Sequence, residues 1–120
     1  MNTVNVKDIK KISLPKRDIK VLVGSGSPVD SLNMTFGITT ILPNTSMDPH
    51  IHNKEEEIIY ILTGYGYVEI DGKKEKIEEG TVIKLVAGSE HFICNNSNVD
   101  MNFTFCFHPS IKIGSYDKNK

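Results

Sequence analysis

The chain has 120 residues, of which 38% are hydrophobic and 24% charged, and its formal net charge is −1 at pH 7. This balance argues against intrinsic disorder, and the pI of about 6.4 gives no electrostatic footprint for nucleic acid and no basic patch for an anionic membrane. The length fits one domain with a modest core. We therefore expect the partner to be a small molecule or a second copy of the chain.

The first residues of the chain mix Asn, Lys and Asp with isolated apolar residues. They contain neither the apolar core of a signal peptide nor a run long enough to span a bilayer, so we expect a cytoplasmic protein. The two cysteines, Cys94 and Cys106, are too few for a secreted disulfide scaffold, and both are expected to be free thiols.

Short strand-forming segments, separated by turn residues, follow one another along the chain, and no segment predicts a helix. The pattern predicts strands over 20–23, 34–42, 58–62, 65–70, 73–77, 81–86, 91–95 and 101–107. Asp71-Gly72 separates two of them and is favoured in two-residue hairpins, because both residues tolerate a positive φ. Regularly spaced short strands indicate a β-sandwich or a β-barrel, and the pattern alone does not choose between them.

His50 and His52 are the first candidates for chemistry. Side chains two apart on a strand project from the same face, so two imidazoles placed in this way can converge on one metal ion. Such a pair taken alone occurs more often by chance than as a metal site. More ligands are needed to support the metal hypothesis.

Glu57 supplies a third ligand, because a short polar loop before it can fold the chain back and bring its carboxylate to the imidazoles from a neighbouring strand. An inward Glu57 shares its face with Ile59 and Ile61. An inward Glu56 would instead share its face with residues such as Tyr60, and periodicity alone does not exclude that alternative.

His91 is the fourth candidate ligand. It begins a strand after the turn 87–90 and shares its side with Ile93 and Asn95. One histidine on a strand is usually structural, so His91 is a candidate ligand only because the other candidates are present.

With these residues the sequence resembles the cupin superfamily. The first cupin motif is Gly, five residues, His-x-His, three or four residues, Glu, six residues, Gly. This chain has Asn44 in the first position, followed at the required spacings by His50, His52, Glu57 and Gly64. Asn44 is a mild departure, because Asn adopts the left-handed conformation more readily than other non-glycine residues.

The second cupin motif is Gly, five residues, Pro-x-Gly, two residues, His, three residues, Asn. Here it is matched by Gly80, Gly88, His91 and Asn95. Val86 replaces the proline, so the turn before His91 loses one fixed φ angle while the ligand is kept.

The resemblance implies an all-β, single-domain cupin β-barrel of the jelly-roll type over residues 1–120. It places the core barrel at about 34–107, an N-terminal arm at 1–33 and a short C-terminal tail at 108–120. It also implies a homodimer.

The proposed ligand set is His50, His52, Glu57 and His91. Three imidazoles and one carboxylate suit one first-row divalent metal ion, and Mn, Fe, Ni, Zn and Cu all fit. Four protein ligands on an octahedral ion leave two positions for water, dioxygen or a chelating substrate.

Further residues are candidates for a substrate pocket. Around the metal we expect the side chains of Ile59, Ile61 and Ile93. An inward Lys84 would suit an anionic substrate, although an outward, solvated lysine is equally compatible with the strand.

The last predicted strand alternates Phe103, Phe105 and Phe107 with polar residues. The aromatic side is expected to pack in the core or in a dimer interface. If the other side faced the barrel mouth, Cys106 would line the pocket and His108 would be the candidate catalytic base.

Three functions follow from these residues. The first is a metalloenzyme acting on a small chelating metabolite, an organic acid or a sugar derivative, and the resemblance implies dioxygenases, isomerases, decarboxylases and lyases. The second is a binding or sensing module without turnover. The third, a metal-free cupin similar to sugar epimerases, predicts loss of the ligand set and ranks last because the set is present.

Overall fold

The computed structural model describes residues 1–113, in which the regular elements are strands apart from one 3-10 turn at Val6–Asp8. The strands are, in chain order, β1 (Ile12–Leu14), β2 (Arg17–Gly24), β3 (Val29–Asp30), β4 (Thr35–Ile41), β5 (Thr45–Ser46), β6 (His50–Ile51), β7 (Glu56–Thr63), β8 (Tyr65–Ile70), β9 (Lys73–Glu78), β10 (Val82–Leu85), β11 (Glu90–Asn95) and β12 (Met101–His108). The prediction of an all-β chain is confirmed.

The strands of the described region are arranged in two sheets. The larger sheet has the order β1-β2-β4-β12-β7-β10, with β3 paired in parallel to β2. The smaller sheet has the order β5-β11-β8-β9, with β6 also paired to β11. Because β2 lies inside the larger sheet, part of the expected N-terminal arm is a strand of the barrel.

Alternating burial along the strands places the core between the two sheets. In β4, β7 and β12 every second residue is buried, as expected for strands with one face on a core. The larger sheet contributes Ile61, Phe103 and Phe105, and the smaller sheet contributes Val68 and Ile93. For the aromatic side of the last strand the sequence left the core and a dimer interface open, and the structure places it in the core.

Turn geometry explains several motif positions. Asp71 and Gly72 have φ of 48° and 85°, so both central residues of the predicted hairpin have the positive φ that a type I′ turn requires. Asn44, which replaces a glycine of the cupin motif, has φ of 52° and so takes the left-handed conformation expected for it. Gly64 has φ of 89°, and a Cβ there would lie 2.8 Å from the Asp100 carbonyl oxygen.

Eight strands were predicted, and each has a counterpart within two residues at both ends, apart from β2, which begins three residues earlier, at Arg17. The short strands β1, β3, β5 and β6 were not predicted, because two or three residues carry no periodicity. Cys94 and Cys106 are free thiols, as expected. The expected tail 108–120 is described only as far as Ile113.

Among residues 1–113, no helix has the length and apolar character needed to cross a bilayer. The cytoplasmic location stays a prediction.

Candidate metal centre

Both sheets contribute to a cluster of His50, His52, Glu57 and His91. Their ligand atoms all lie within 4.8 Å of one another. His50 is in β6 and His91 is in β11, and the two residues are direct partners in the antiparallel pairing of these strands. Their ring centroids are 4.3 Å apart. Pairing between strands therefore brings together two residues that are 41 positions apart in the chain.

His52 lies just beyond the end of β6. Its carbonyl oxygen accepts a hydrogen bond of 2.8 Å from the amide of Gly88, which ties the first motif to the turn of the second. Its ring packs against Phe107, with the centroids 4.7 Å apart. This packing helps to hold the imidazole of His52 at the cluster, where the side chain is nearly fully buried.

Glu57 belongs to β7, in the larger sheet, where its direct partners are Phe107 and Leu85. Its Oε1 lies 3.5 Å from Nε2 of His91 and 3.7 Å from Nε2 of His52. The sequence predicted that Glu57 approaches from a neighbouring strand, whereas it approaches from the opposite sheet. The structure also decides between the two glutamates, since Glu57 is 6% exposed and Glu56 is on the outer face.

Backbone carbonyl oxygens orient two of the imidazoles. Nδ1 of His50 lies 3.0 Å from the carbonyl oxygen of Asp48, and Nδ1 of His91 lies 3.3 Å from that of Ser89. A hydrogen bond to a carbonyl requires the proton on Nδ1, which leaves the lone pair on Nε2 for a metal. These two histidines are therefore held in the tautomer that a metal site needs.

Burial governs the protonation of the cluster. It lowers the pKa of His50 to about 3 and that of His52 to about 4, and the neighbouring His91 adds to both shifts. Burial also raises the pKa of Glu57, although His91 opposes that rise. The common cause is that charged groups lose hydration in the cavity. The two histidines are therefore neutral near pH 7, which is their metal-binding form.

The residues fit a transition metal ion. Nε2 of His91 and Oε1 of Glu57 are buried and, within residues 1–113, make no hydrogen bond of acceptable geometry. Bonds of about 2.1 Å would place opposite ligand atoms about 4.2 Å apart. The observed spread of up to 4.8 Å therefore requires only small movements. A donor set of nitrogen and carboxylate oxygen is typical of first-row metals.

A small cavity adjoins the cluster. The volume within it that the centre of a water molecule can occupy is about 20 Å³. Much of its lining is apolar and includes Ile19, Ile59, Ile93, Phe105 and Ile113. Of the predicted pocket residues, Ile59 and Ile93 line this cavity. An apolar lining keeps water out, and it strengthens electrostatic interactions inside the cavity.

The other pocket candidates lie away from the cavity. Ile61 is fully buried in the core. Lys84 is on the outer face, with Nζ 3.6 Å from a carboxylate oxygen of Glu56. Of the two orientations considered for this lysine, the structure has the outward, solvated one. Cys106 is on the outer side of β12, since the strand turns Phe105 and Phe107 inward.

His108, the candidate catalytic base, is exposed at the end of β12. Its Nδ1 lies 3.1 Å from the carbonyl oxygen of Asn33. The side chain does not line the metal cavity.

Sequence reasoning missed Arg17, which is 9% exposed and lines the cavity beside His50, Glu57 and His91. It follows a two-residue turn between β1 and β2 and pairs with Ile41 of β4. The sequence does hold a signal for it. If Ile19 faces the core, the period of two along β2 turns Arg17 inward as well.

Comparison with known proteins agrees with this geometry. Residues 37–107 match the family model Cupin_2, described as a cupin domain. The chain belongs to the cupin family. This cupin is 39% identical over 68 residues to an oxalate-binding protein of Thermotoga maritima, a match that covers 57% of this chain and 56% of that protein. It is 33% identical over 84 residues to an L-ectoine synthase of Aliivibrio fischeri, covering 68% and 64% respectively.

The matches thus span between half and two thirds of the length of these two curated relatives. Among solved structures, a predicted oxalate decarboxylase from Thermotoga maritima superposes with a TM-score of 0.77 and 26% identity. That match covers 89% of this cupin and 98% of the other chain. The β-barrel fold is therefore shared along nearly the whole of that structure.

Proposed function

We propose that this cupin binds one divalent transition metal ion through His50, His52, Glu57 and His91 and acts as a metalloenzyme on a small chelating organic acid. The observation that carries the proposal is the convergence of three imidazoles and one carboxylate from two sheets beside a small cavity. The oxalate-related names of two similar proteins support an organic acid over a sugar derivative.

Each part of the site has a role in such an enzyme. The carbonyl oxygens of Asp48 and Ser89 orient two imidazoles, and Glu57 supplies the anionic ligand. A bound metal would polarise a carbonyl or carboxylate group and lower the pKa of a bound water. The apolar lining limits competing water, and the small cavity restricts the ligand to a few heavy atoms.

Elemental analysis of the purified protein after exposure to Mn, Fe, Ni, Zn and Cu tests metal binding. We expect close to one equivalent in the native protein and a large loss in His50→Ala. His108→Ala is the matched control, because this histidine is exposed and outside the cavity. Less than a tenth of an equivalent in the native protein under these conditions would contradict the proposal.

A specific observation favours a second function, a binding protein without turnover. Among the described residues that line the cavity, the imidazole and carboxylate side chains all belong to the ligand cluster. Lys84 and His108 lie outside it. Any chemistry would therefore depend on the metal itself. The name of the oxalate-binding relative also agrees with this alternative.

A turnover screen separates the two functions. The metal-loaded protein is incubated with oxalate, 2-keto acids and 2-hydroxy acids, with and without oxygen, and products are followed by mass spectrometry. Turnover that is lost in His50→Ala supports the enzyme. Saturable binding of one acid with no product supports the binding protein.

We also propose that the protein is a homodimer formed through the outer face of the larger sheet. Two rows of side chains cross β10, β7, β12 and β4 on this face. Strand register defines the rows as Val82, Tyr60, Thr104, Ile38 and Lys84, Ile58, Cys106, Phe36. Val82, Tyr60 and Ile58 are 62%, 44% and 39% exposed. Since Lys84 is the charged member of these rows, the face suits a two-fold contact with its own copy.

Light scattering coupled to gel filtration tests the dimer. The native protein should elute at twice the 13.4 kDa of the chain, and Tyr60→Glu should elute as a monomer. Tyr65→Glu is a matched control, because Tyr65 is 53% exposed on the other sheet. A monomeric native protein at micromolar concentration would contradict the proposal.

A further inference from the structure

A second, larger space adjoins the metal cavity. We call it the outer groove, and its lining includes the apolar Ile12, Val21 and Ile111 and the hydroxyl groups of Ser25, Ser27 and Ser110. The volume that the centre of a water molecule can occupy is about 630 Å³ in the groove and about 20 Å³ in the metal cavity. Among residues 1–113, Ile113 is the residue that lines both spaces.

Strand register shows that the two spaces follow one another along the barrel. The period of two along β2 turns Ile19 and Val21 to the same face, about 6.5 Å apart, and Ile19 lines the metal cavity while Val21 lines the groove. On the neighbouring β4, Thr39 is the direct partner of Ile19 and lines the cavity, whereas Thr35 lines the groove. The groove therefore begins about one side chain beyond the metal cavity.

Ile113 is held at this boundary by a segment that follows the last strand. The hydroxyl of Thr35 donates a hydrogen bond of 2.9 Å to the carbonyl oxygen of Ile111 and accepts one of 3.0 Å from the amide of Ile111. The hydroxyl of Ser110 donates a hydrogen bond of 2.9 Å to the carbonyl oxygen of Leu32. With its backbone fixed two residues earlier, Ile113 is half-buried and packs against the core.

We propose that Ile113 is a specificity-determining residue that separates the metal cavity from the outer groove and so limits the metal-bound acid to a short carbon chain. This inference rests on the proposed function and narrows its substrate class. The groove has apolar side chains next to the boundary, so it would accept an alkyl tail if the side chain of Ile113 were shortened. The boundary, and not a lack of space beyond it, then determines the length of the ligand.

Calorimetry on the Mn-loaded protein tests the proposal with glycolate and 2-hydroxyhexanoate, which carry the same chelating group and differ by a butyl tail. The proteins compared are the native form, Ile113→Ala and Ile111→Ala. Ile111→Ala is the matched control, because this isoleucine also packs against the core and lines the groove but does not line the metal cavity. Metal content is measured first on each protein.

The readout is the ratio of 2-hydroxyhexanoate affinity to glycolate affinity. We expect the native protein to prefer glycolate and the ratio to rise about tenfold or more in Ile113→Ala, which corresponds to burial of about two methylene groups of the tail. Metal content and glycolate affinity should stay near their native values, and Ile111→Ala should leave the ratio unchanged. A merely structural role would not produce this pattern, because a general defect weakens both acids together.

Three results would overturn the proposal: a native protein that binds 2-hydroxyhexanoate as tightly as glycolate, an unchanged ratio in Ile113→Ala, or an equal rise in Ile111→Ala. If Ile113→Ala does not fold, Ile113→Val replaces it and should raise the ratio by about two- to fourfold, since one methyl group is removed. An unchanged ratio in Ile113→Val would then contradict the proposal. A native protein that binds neither metal nor glycolate would instead contradict the proposed function, so the two failures are distinguishable.

Discussion

Asn95, the last residue of the second cupin motif, holds one end of the barrel together. It is 0% exposed, and its Nδ2 lies 3.0, 3.1 and 2.8 Å from the carbonyl oxygens of Ile41, Leu42 and Val99. Its Oδ1 accepts hydrogen bonds from both the amide and the hydroxyl of Ser97. One side chain therefore links β11 to the end of β4 and to the turn before β12.

Replacing Asn95 with Ala removes two donors and one oxygen that accepts two hydrogen bonds. At about 1 kcal/mol for each of these bonds, the variant should be about 4 kcal/mol less stable. Several of the groups that lose a hydrogen bond to Asn95 are buried, so water cannot replace the lost bonds. With an m value of about 2 kcal/mol per M, the urea midpoint should fall by about 2 M.

Urea unfolding followed by circular dichroism measures this change, and two further variants calibrate it. Ser97→Ala removes one hydroxyl of the same network and should cost about 1–2 kcal/mol. Asn98→Ala lies in the same turn but is exposed, so it should change stability by less than about 0.5 kcal/mol. A loss below about 1 kcal/mol in Asn95→Ala, or an equal loss in Asn98→Ala, would refute the reasoning.

Two other substitutions give further tests. Glu57→Gln should weaken metal binding by about tenfold or more and, at pH 7, raise the thermal midpoint of the metal-free protein. Burial raises the pKa of Glu57 in the folded state, so the native protein loses stability as pH rises through that value, and glutamine has no such loss. If the difference in thermal midpoint between Glu57→Gln and native protein were the same at pH 4 and at pH 7, this reasoning would be contradicted. Gly66→Ala should lower the free energy of unfolding in urea by at least about 2–3 kcal/mol, because a Cβ there would collide with the carbonyl oxygen of Cys94. Gly24→Ala is the control, because the atom nearest to a Cβ at that position is 3.5 Å away.

The sequence was most informative where local chemistry decides the structure. The Asp71-Gly72 hairpin followed from two residues that accept a positive φ, and both adopt one. Alternation along β12 predicted a buried face of phenylalanines, which the structure contains. Period-two patterns could not decide between Glu56 and Glu57, because either choice leaves apolar residues inward. Only the packing of β7 between β12 and β10 settles it.

Local patterns failed where the structure depends on pairing between distant segments. Thr45–Ser46 and His50–Ile51 are strands only because β11 lies beside them. The spacing within the first motif gave the ligands but not the sheet from which each one approaches. The approach of Glu57 from the opposite sheet follows from the closure of the barrel, which no short spacing encodes.

The metal ligands show why the site is better explained by ligand binding than by stability. Burying a glutamate and clustering three histidines in one small volume costs free energy. Residues that break the rules of core packing in one small volume are expected where a protein binds or reacts. The cost should then be offset when a metal ion binds the cluster. A divalent metal ion should raise the thermal midpoint as its concentration exceeds its dissociation constant, because it binds the folded state.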